Sequence, residues 1–139
     1  MKRKYGWVVL GLLGLLSSMS LVSCKPGRRF EEAKKEADRA ATWANIKTLH
    51  DGVYLFYAET GRYPTNTEGL QALIQHPTDK TLGPYARQDD LKDAWQQPIQ
   101  YQYPGTNGRP FDLLSPGPDG KAGTKDDMTN ADFEKPKID

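Results

Sequence analysis

The chain has 139 residues, enough for one domain and too few for two. Glycine (13) and proline (10) are frequent, so a modest core and extensive loops are expected. The formal charge is only +1 and leans on Lys2, Arg3 and Lys4, which leaves the remainder mildly acidic and excludes the basic footprint that a phosphate backbone demands. Nucleic acid is therefore not an expected partner.

The opening residues read as an address rather than as part of a fold. Lys2, Arg3 and Lys4 precede the apolar run Trp7 to Leu16, and the more polar Ser17, Ser18 and Ser20 lead to Leu21-Val22-Ser23-Cys24. The run has the length of a signal-peptide core and falls well short of the roughly 20 residues that span a bilayer. Leu-Val-Ser-Cys resembles the bacterial lipobox, whose cysteine is diacylated and becomes the new N-terminus. Cys24 is the one cysteine in the chain, so no intrachain disulfide can form, and lipidation gives the thiol a purpose. Two acyl chains hold a protein on a membrane where one is marginal. The competing reading is an uncleaved signal anchor from Trp7 to Val22 with Cys24 an incidental thiol. The division expected is a signal peptide over 1–23, a basic tether over 24–29 and a domain over 30–139. Such a protein is membrane-anchored on the periplasmic side, and Lys25, standing where an aspartate would signal inner-membrane retention, favours the outer membrane.

A helix is expected from about Phe30 to Glu59. Its first half (Glu31, Glu32, Lys34, Lys35, Glu36, Asp38, Arg39) is charged, while Ile46, Leu49, Val53 and Phe56 in the second recur at the spacing of a core-facing stripe. Gly61 suits a left-handed C-cap, and Pro64 forces Tyr63 to be extended. Thr67 to Ile74 predicts a short second helix ended at Pro77, followed by a polar loop from Thr78 to Asp90. Alternation over Pro98 to Tyr103 and the run Phe111 to Ser115 predict two strands, with turns at Pro104-Gly105 and Asn107-Gly108. From Pro116 onward, glycine, proline and aspartate argue against regular structure. The fold class expected is α+β, a long N-terminal helix packed on a small antiparallel sheet.

The segment Ser115 to Asn130 is the most pointed chemically. Asp119, Asp126 and Asp127 stand among glycines that let the backbone turn its carbonyls inward. Adjacent Asp126 and Asp127 repel unless a cation or water separates them, and calcium takes six to eight oxygen ligands from such groups. The spacing is not that of an EF-hand, so the pattern alone fits either a calcium loop or a solvated acidic turn. The segment has no cysteine, and His50 and His76 are distant in sequence, so zinc is not implied. An envelope hydrolase using Asp126 or Asp127 as base is a further alternative, but no nucleophile or histidine partner motif accompanies them.

Ala44-Asn45-Ile46-Lys47 through Tyr57, Gly61-Arg62-Tyr63-Pro64-Thr65, Thr67-Glu68-Gly69-Leu70-Gln71-Ala72-Leu73, Lys92 to Tyr101, and Ser115-Pro116-Gly117-Pro118-Asp119-Gly120 with Asp126-Asp127 follow one another in a specific order. Together they resemble the major pseudopilin of type II secretion, protein G, over about Ala37 to Asn130. The resemblance implies a pilin-like domain with a C-terminal calcium loop, its metal held by Asp119, Asp126 and Asp127 and by carbonyls near Pro116 and over Met128 to Asn130. It also implies no enzymatic activity, and as partners other secretion or pilus-like proteins and further copies of the chain. The chain departs from the family at its start, where about 20 apolar residues that form the fibre's core are replaced by the charged stretch Phe30 to Arg39 behind a lipobox. Two roles are expected from this: a lipid-anchored structural or interaction module beside a secretion apparatus, or a fibre subunit whose anchor has been replaced.

Overall fold

The computed structural model describes residues 26–76 and 79–133. The expected signal peptide and Cys24 lie outside them.

Helix α1 runs from Pro26 to Thr60, four residues earlier than expected, so most of the presumed tether is helical. Proline is at home in a first helical position, where its missing N–H would have had no partner. Residues 27–41 are almost wholly exposed, stabilised locally by alanines and by a Lys34–Asp38 ion pair of 2.6 Å one turn apart. From Thr42 the helix becomes amphipathic. Ile46, Leu49, Val53 and Phe56 are each 0% exposed, as their spacing predicts. The helix stops at Gly61 (φ 73), whose N–H donates to the Tyr57 carbonyl (2.8 Å). Among the described residues, no helix is long and apolar enough to cross a membrane.

The sheet has three antiparallel strands in the order β1-β2-β3: β1 Gln100–Gln102, β2 Asp112–Ser115 and β3 Met128–Thr129. Tyr101 pairs with Leu113, and Ser115 with Met128. Alternation turns Leu113 and Met128 toward α1, where they join Phe111, Leu73 and the helical stripe in one core. This is the α+β arrangement expected of a pilin-like fold.

Three elements differ from the sequence-based expectation. The second helix is a 3-10 turn, Gly69–Leu73, because Gly69 sits at φ 57 and breaks any helical run from Thr67. The polar loop ends in another, Gln88–Leu91, held by Asp90, whose carboxylate accepts the Arg87 N–H (2.8 Å) and a guanidinium N–H (3.0 Å). The C-terminal segment is not wholly irregular: it supplies β3 and a 3-10 turn, Asn130–Asp132. The reason is the buried Asn130 side chain. Its Oδ1 accepts the Leu113 N–H (2.8 Å) and its Nδ2 donates to the Phe111 carbonyl (3.1 Å), extending the ladder where backbone pairing ends.

The Gly-Arg-Tyr-Pro-Thr and Glu-Gly-Leu stretches turn out to form one structural clasp. Arg62 donates two hydrogen bonds to Glu68 (2.7 and 2.8 Å), and the Thr65 N–H donates a third (2.8 Å). These donors, the Arg62 guanidinium foremost, hold the Glu68 carboxyl down to about 2 from 4.5. A depressed carboxylate stabilises the fold fully above its ordinary pKa and loses that contribution as pH falls toward the folded value. Glu68→Gln is therefore expected to melt below wild type at neutral pH, with the gap closing between about pH 4.5 and about pH 2. Thermal melts across that range check this, and a gap that does not close rules the clasp out as a source of acid sensitivity.

Candidate functional site: the aspartate loop and its root

β2 delivers the chain into the loop at Ser115, and β3 receives it at Met128. Pro116 and Gly117 are buried, Asp119 is exposed, and Asp126 and Asp127 are half-buried. Gly117 (φ 65) is fixed by sterics as well as by backbone conformation. A Cβ there would stand 2.7 Å from the Asp126 carbonyl oxygen and 2.8 Å from its Oδ2, so only glycine admits the close approach of the loop's two limbs.

Each carboxylate takes hydrogen bonds from the loop itself. Asp119 Oδ1 accepts the Lys121 N–H (2.8 Å), and Asp127 Oδ2 accepts the Gly123 N–H (2.7 Å). Asp126 Oδ1 accepts the Thr124 hydroxyl (2.6 Å), while its Oδ2 takes the Asp119 N–H (3.3 Å). The Thr124 hydroxyl also lies 3.4 Å from Asp127 Oδ1, so two of the three acids face the same group. Asp126 is held below the usual carboxylate range, chiefly by the Thr124 hydroxyl, with a smaller attraction from Lys35 on α1.

The side chains gathered here offer oxygen alone, carboxylates and a hydroxyl, the kind of donor a hard cation takes, with neither sulfur nor imidazole. The absence of a Cβ at Gly117 leaves the Asp126 carbonyl and Oδ2 free of contact with side-chain carbon on that side. Among the described residues, no three His, Cys, Asp or Glu side chains form a ready-made metal cluster, and the three aspartates are turned to the N–H and hydroxyl donors above. Of the other residues named from sequence, Pro116 lies buried at the loop's root. The Asn130 carbonyl accepts the Phe133 N–H (3.0 Å), and the Asn130 side chain serves the sheet.

Two residues that sequence reasoning passed over organise the root. Asp93 (2% exposed) accepts the N–H groups of Trp95 (3.0 Å) and Gln97 (2.8 Å) on Oδ1, and on Oδ2 the hydroxyl of Ser115 (2.7 Å), which in turn accepts the Gly117 N–H (3.2 Å). The tight turn this creates puts Gln96 at φ 66, a conformation that favours glycine. α1 holds the same turn from the other side: Thr42 Oγ1 accepts the Ala94 N–H (3.1 Å), and the Asn45 amide donates to the Lys92 carbonyl (2.8 Å). The Asp-Ala-Trp sequence carries a signal for Asp93, but its partner lies 22 residues away.

The chain and its fold have known counterparts. A family model described as type II secretion system (T2SS), protein G, matches residues 29–133. The chain is 31% identical over 135 residues to the type II secretion system core protein G of Escherichia coli, covering 94% of this chain and 88% of that protein. It is 35% identical over 124 residues to the Pseudomonas aeruginosa protein of the same name, covering 86% and 82%. Among solved structures, it resembles the major pseudopilin from the type 2 secretion system of enterohaemorrhagic Escherichia coli, with a TM-score of 0.59 and 32% identity over 73% of this chain and 89% of that one.

Proposed function

We infer the function of this chain from its family: it belongs to the type II secretion system protein G family. Its role on this reading is structural, as a lipid-anchored, calcium-binding pseudopilin-like module that works with other secretion components on the periplasmic side of the envelope.

The observation that carries the reading is the contrast within α1. The family's domain is present on a helix whose exposed first half, residues 27–41, bears charges. Burying Lys34, Lys35, Glu36 and Arg39 among apolar helices of a fibre would cost several kcal/mol for each ion left unpaired. A module held by acyl chains on Cys24 avoids that burial, and the Leu21 to Cys24 tetrapeptide supports such an anchor. Calcium fits the all-oxygen loop between β2 and β3, where Asp119, Asp126 and Asp127 would hold it and the Pro116 and Asn130 carbonyls could contribute. Bound there, the ion would neutralise adjacent acids and join the two limbs of the loop.

Membership of a pseudopilin family also supports a second reading, a fibre subunit that polymerises through its globular face behind a replaced anchor. Crosslinking in cells, with Cys24→Ala as companion, separates the two. The module predicts products with other proteins and no homo-oligomer ladder, together with release or lack of processing of Cys24→Ala. A ladder of multimers establishes the fibre instead, and unchanged membrane retention and mobility of Cys24→Ala overturns the lipid anchor.

A further inference from the structure

We propose that Asp93 and Ser115 are positioning residues for the calcium loop, setting its affinity for the ion from outside the ligand shell. This rests on the calcium reading above and adds to it the parts that aim the loop.

Three observations combine. First, one hydroxyl makes the joint: Ser115 is 0% exposed, donates to Asp93 and accepts from Gly117, so the last residue of β2, the turn over residues 92–97 and the loop's second residue meet at a single atom. Second, that joint is firmly based. A buried carboxylate is costly unless its lone pairs are filled, and Asp93 is filled by two backbone N–H groups and Ser115, which fixes its orientation. The turn it organises is tied to α1 through Thr42 and Asn45. Third, the joint reaches the acids. Gly117 lies against Asp126 with no space for a Cβ between them, so a displacement of Gly117 displaces the Asp126 backbone and carboxylate with it. Rigid helix, buried carboxylate, hydroxyl, glycine and ligand therefore form a continuous chain of contacts. Groups that orient ligands in this way typically contribute about 10- to 100-fold to metal affinity.

Ser115→Ala tests the proposal in the mature chain from residue 24, made with Cys24→Ser so that it stays unacylated; every residue of the described fold is retained. Calcium chloride is titrated by calorimetry, and melts are recorded in calcium and in chelator. Ser115→Ala is expected to bind calcium about tenfold or more weakly than wild type, and its calcium-induced rise in melting temperature is expected to shrink. Ser115→Thr, which keeps the hydroxyl, is expected to recover much of both. If Ser115→Ala gives no cooperative melt in chelator, Ser115→Cys serves in its place, since it fills the site while replacing the hydroxyl with a thiol that donates and accepts only weakly. Wild-type affinity in the variant, with both melts lowered equally, means that the hydroxyl only stabilises the fold and overturns the proposal. A wild-type chain that takes up no calcium overturns the calcium reading itself.

Discussion

Calcium is expected to raise the melting temperature of the mature domain, chelator to reverse the rise, and Asp127→Ala to abolish it. A ligand bound only to the folded state stabilises it by about 2.7 kcal/mol at a hundredfold excess over its dissociation constant. For a domain of this size, each kcal/mol shifts the transition by about 4 °C or more, so the rise should reach about 10 °C. Asp127 is the informative position because it has two duties. Its Oδ2 caps the Gly123 N–H, a bond made without any metal, while its charge beside Asp126 is what an ion would neutralise. Alanine removes both and should lower the melting temperature even in chelator. The Asp127→Asn substitution keeps an acceptor for Gly123 and should melt near wild type in chelator while losing most of the calcium response. Identical melts of the wild-type chain in calcium and in chelator would show that the acids form only a solvated turn.

The second large effect belongs to the core. Phe56→Ala is expected to destabilise the domain by about 3–5 kcal/mol, the usual cost of emptying a large aromatic site. Phe56 is fully buried near the end of α1 and stacks on His76, with ring centroids 5.1 Å apart. Tyr85 meets it edge-on at 6.0 Å, and the Arg62 guanidinium lies 5.3 Å from the ring centre. One side chain thus fastens the segment between the helix and the sheet at three separated points. Denaturant titration should show the midpoint falling in proportion. A loss below about 1 kcal/mol would mean that the segment collapses into the vacated space.

The parts of this fold that are legible in the sequence are those written in local chemistry. The stripe from Ile46 to Phe56 marks the buried face of α1, Gly61 marks its end, and the alternation around Tyr101 and the run from Phe111 to Ser115 mark the paired strands. The loop aspartates are equally plain as a group. What cannot be read there depends on partners far apart along the chain. β3 is two residues long, and its continuation relies on the Asn130 amide reaching across to Phe111 and Leu113. The link from Asp93 to Ser115 spans 22 residues with no periodicity to betray it. Thr67 to Ile74 resembles a helix because its apolar spacing is helical, whereas the left-handed Gly69 decides otherwise. The Arg62–Glu68 clasp shows the converse case, a conspicuous motif whose work is to brace a turn.

The charged first half of α1 has a mechanical consequence. At about 1.5 Å per residue, the stretch over residues 27–41 forms a stalk of roughly 20 Å between the chain's N-terminal side and the first core contact at Thr42. A helix is stiffer than a glycine-rich linker of equal length, so the stalk keeps a fixed length and direction relative to the core. With fewer buried contacts than the half that follows it, and with Lys35 facing Asp126 across open solvent, it is also the section of α1 expected to open first. α1 therefore extends past the core as a stiff post whose reach lasts only while its turns stay wound.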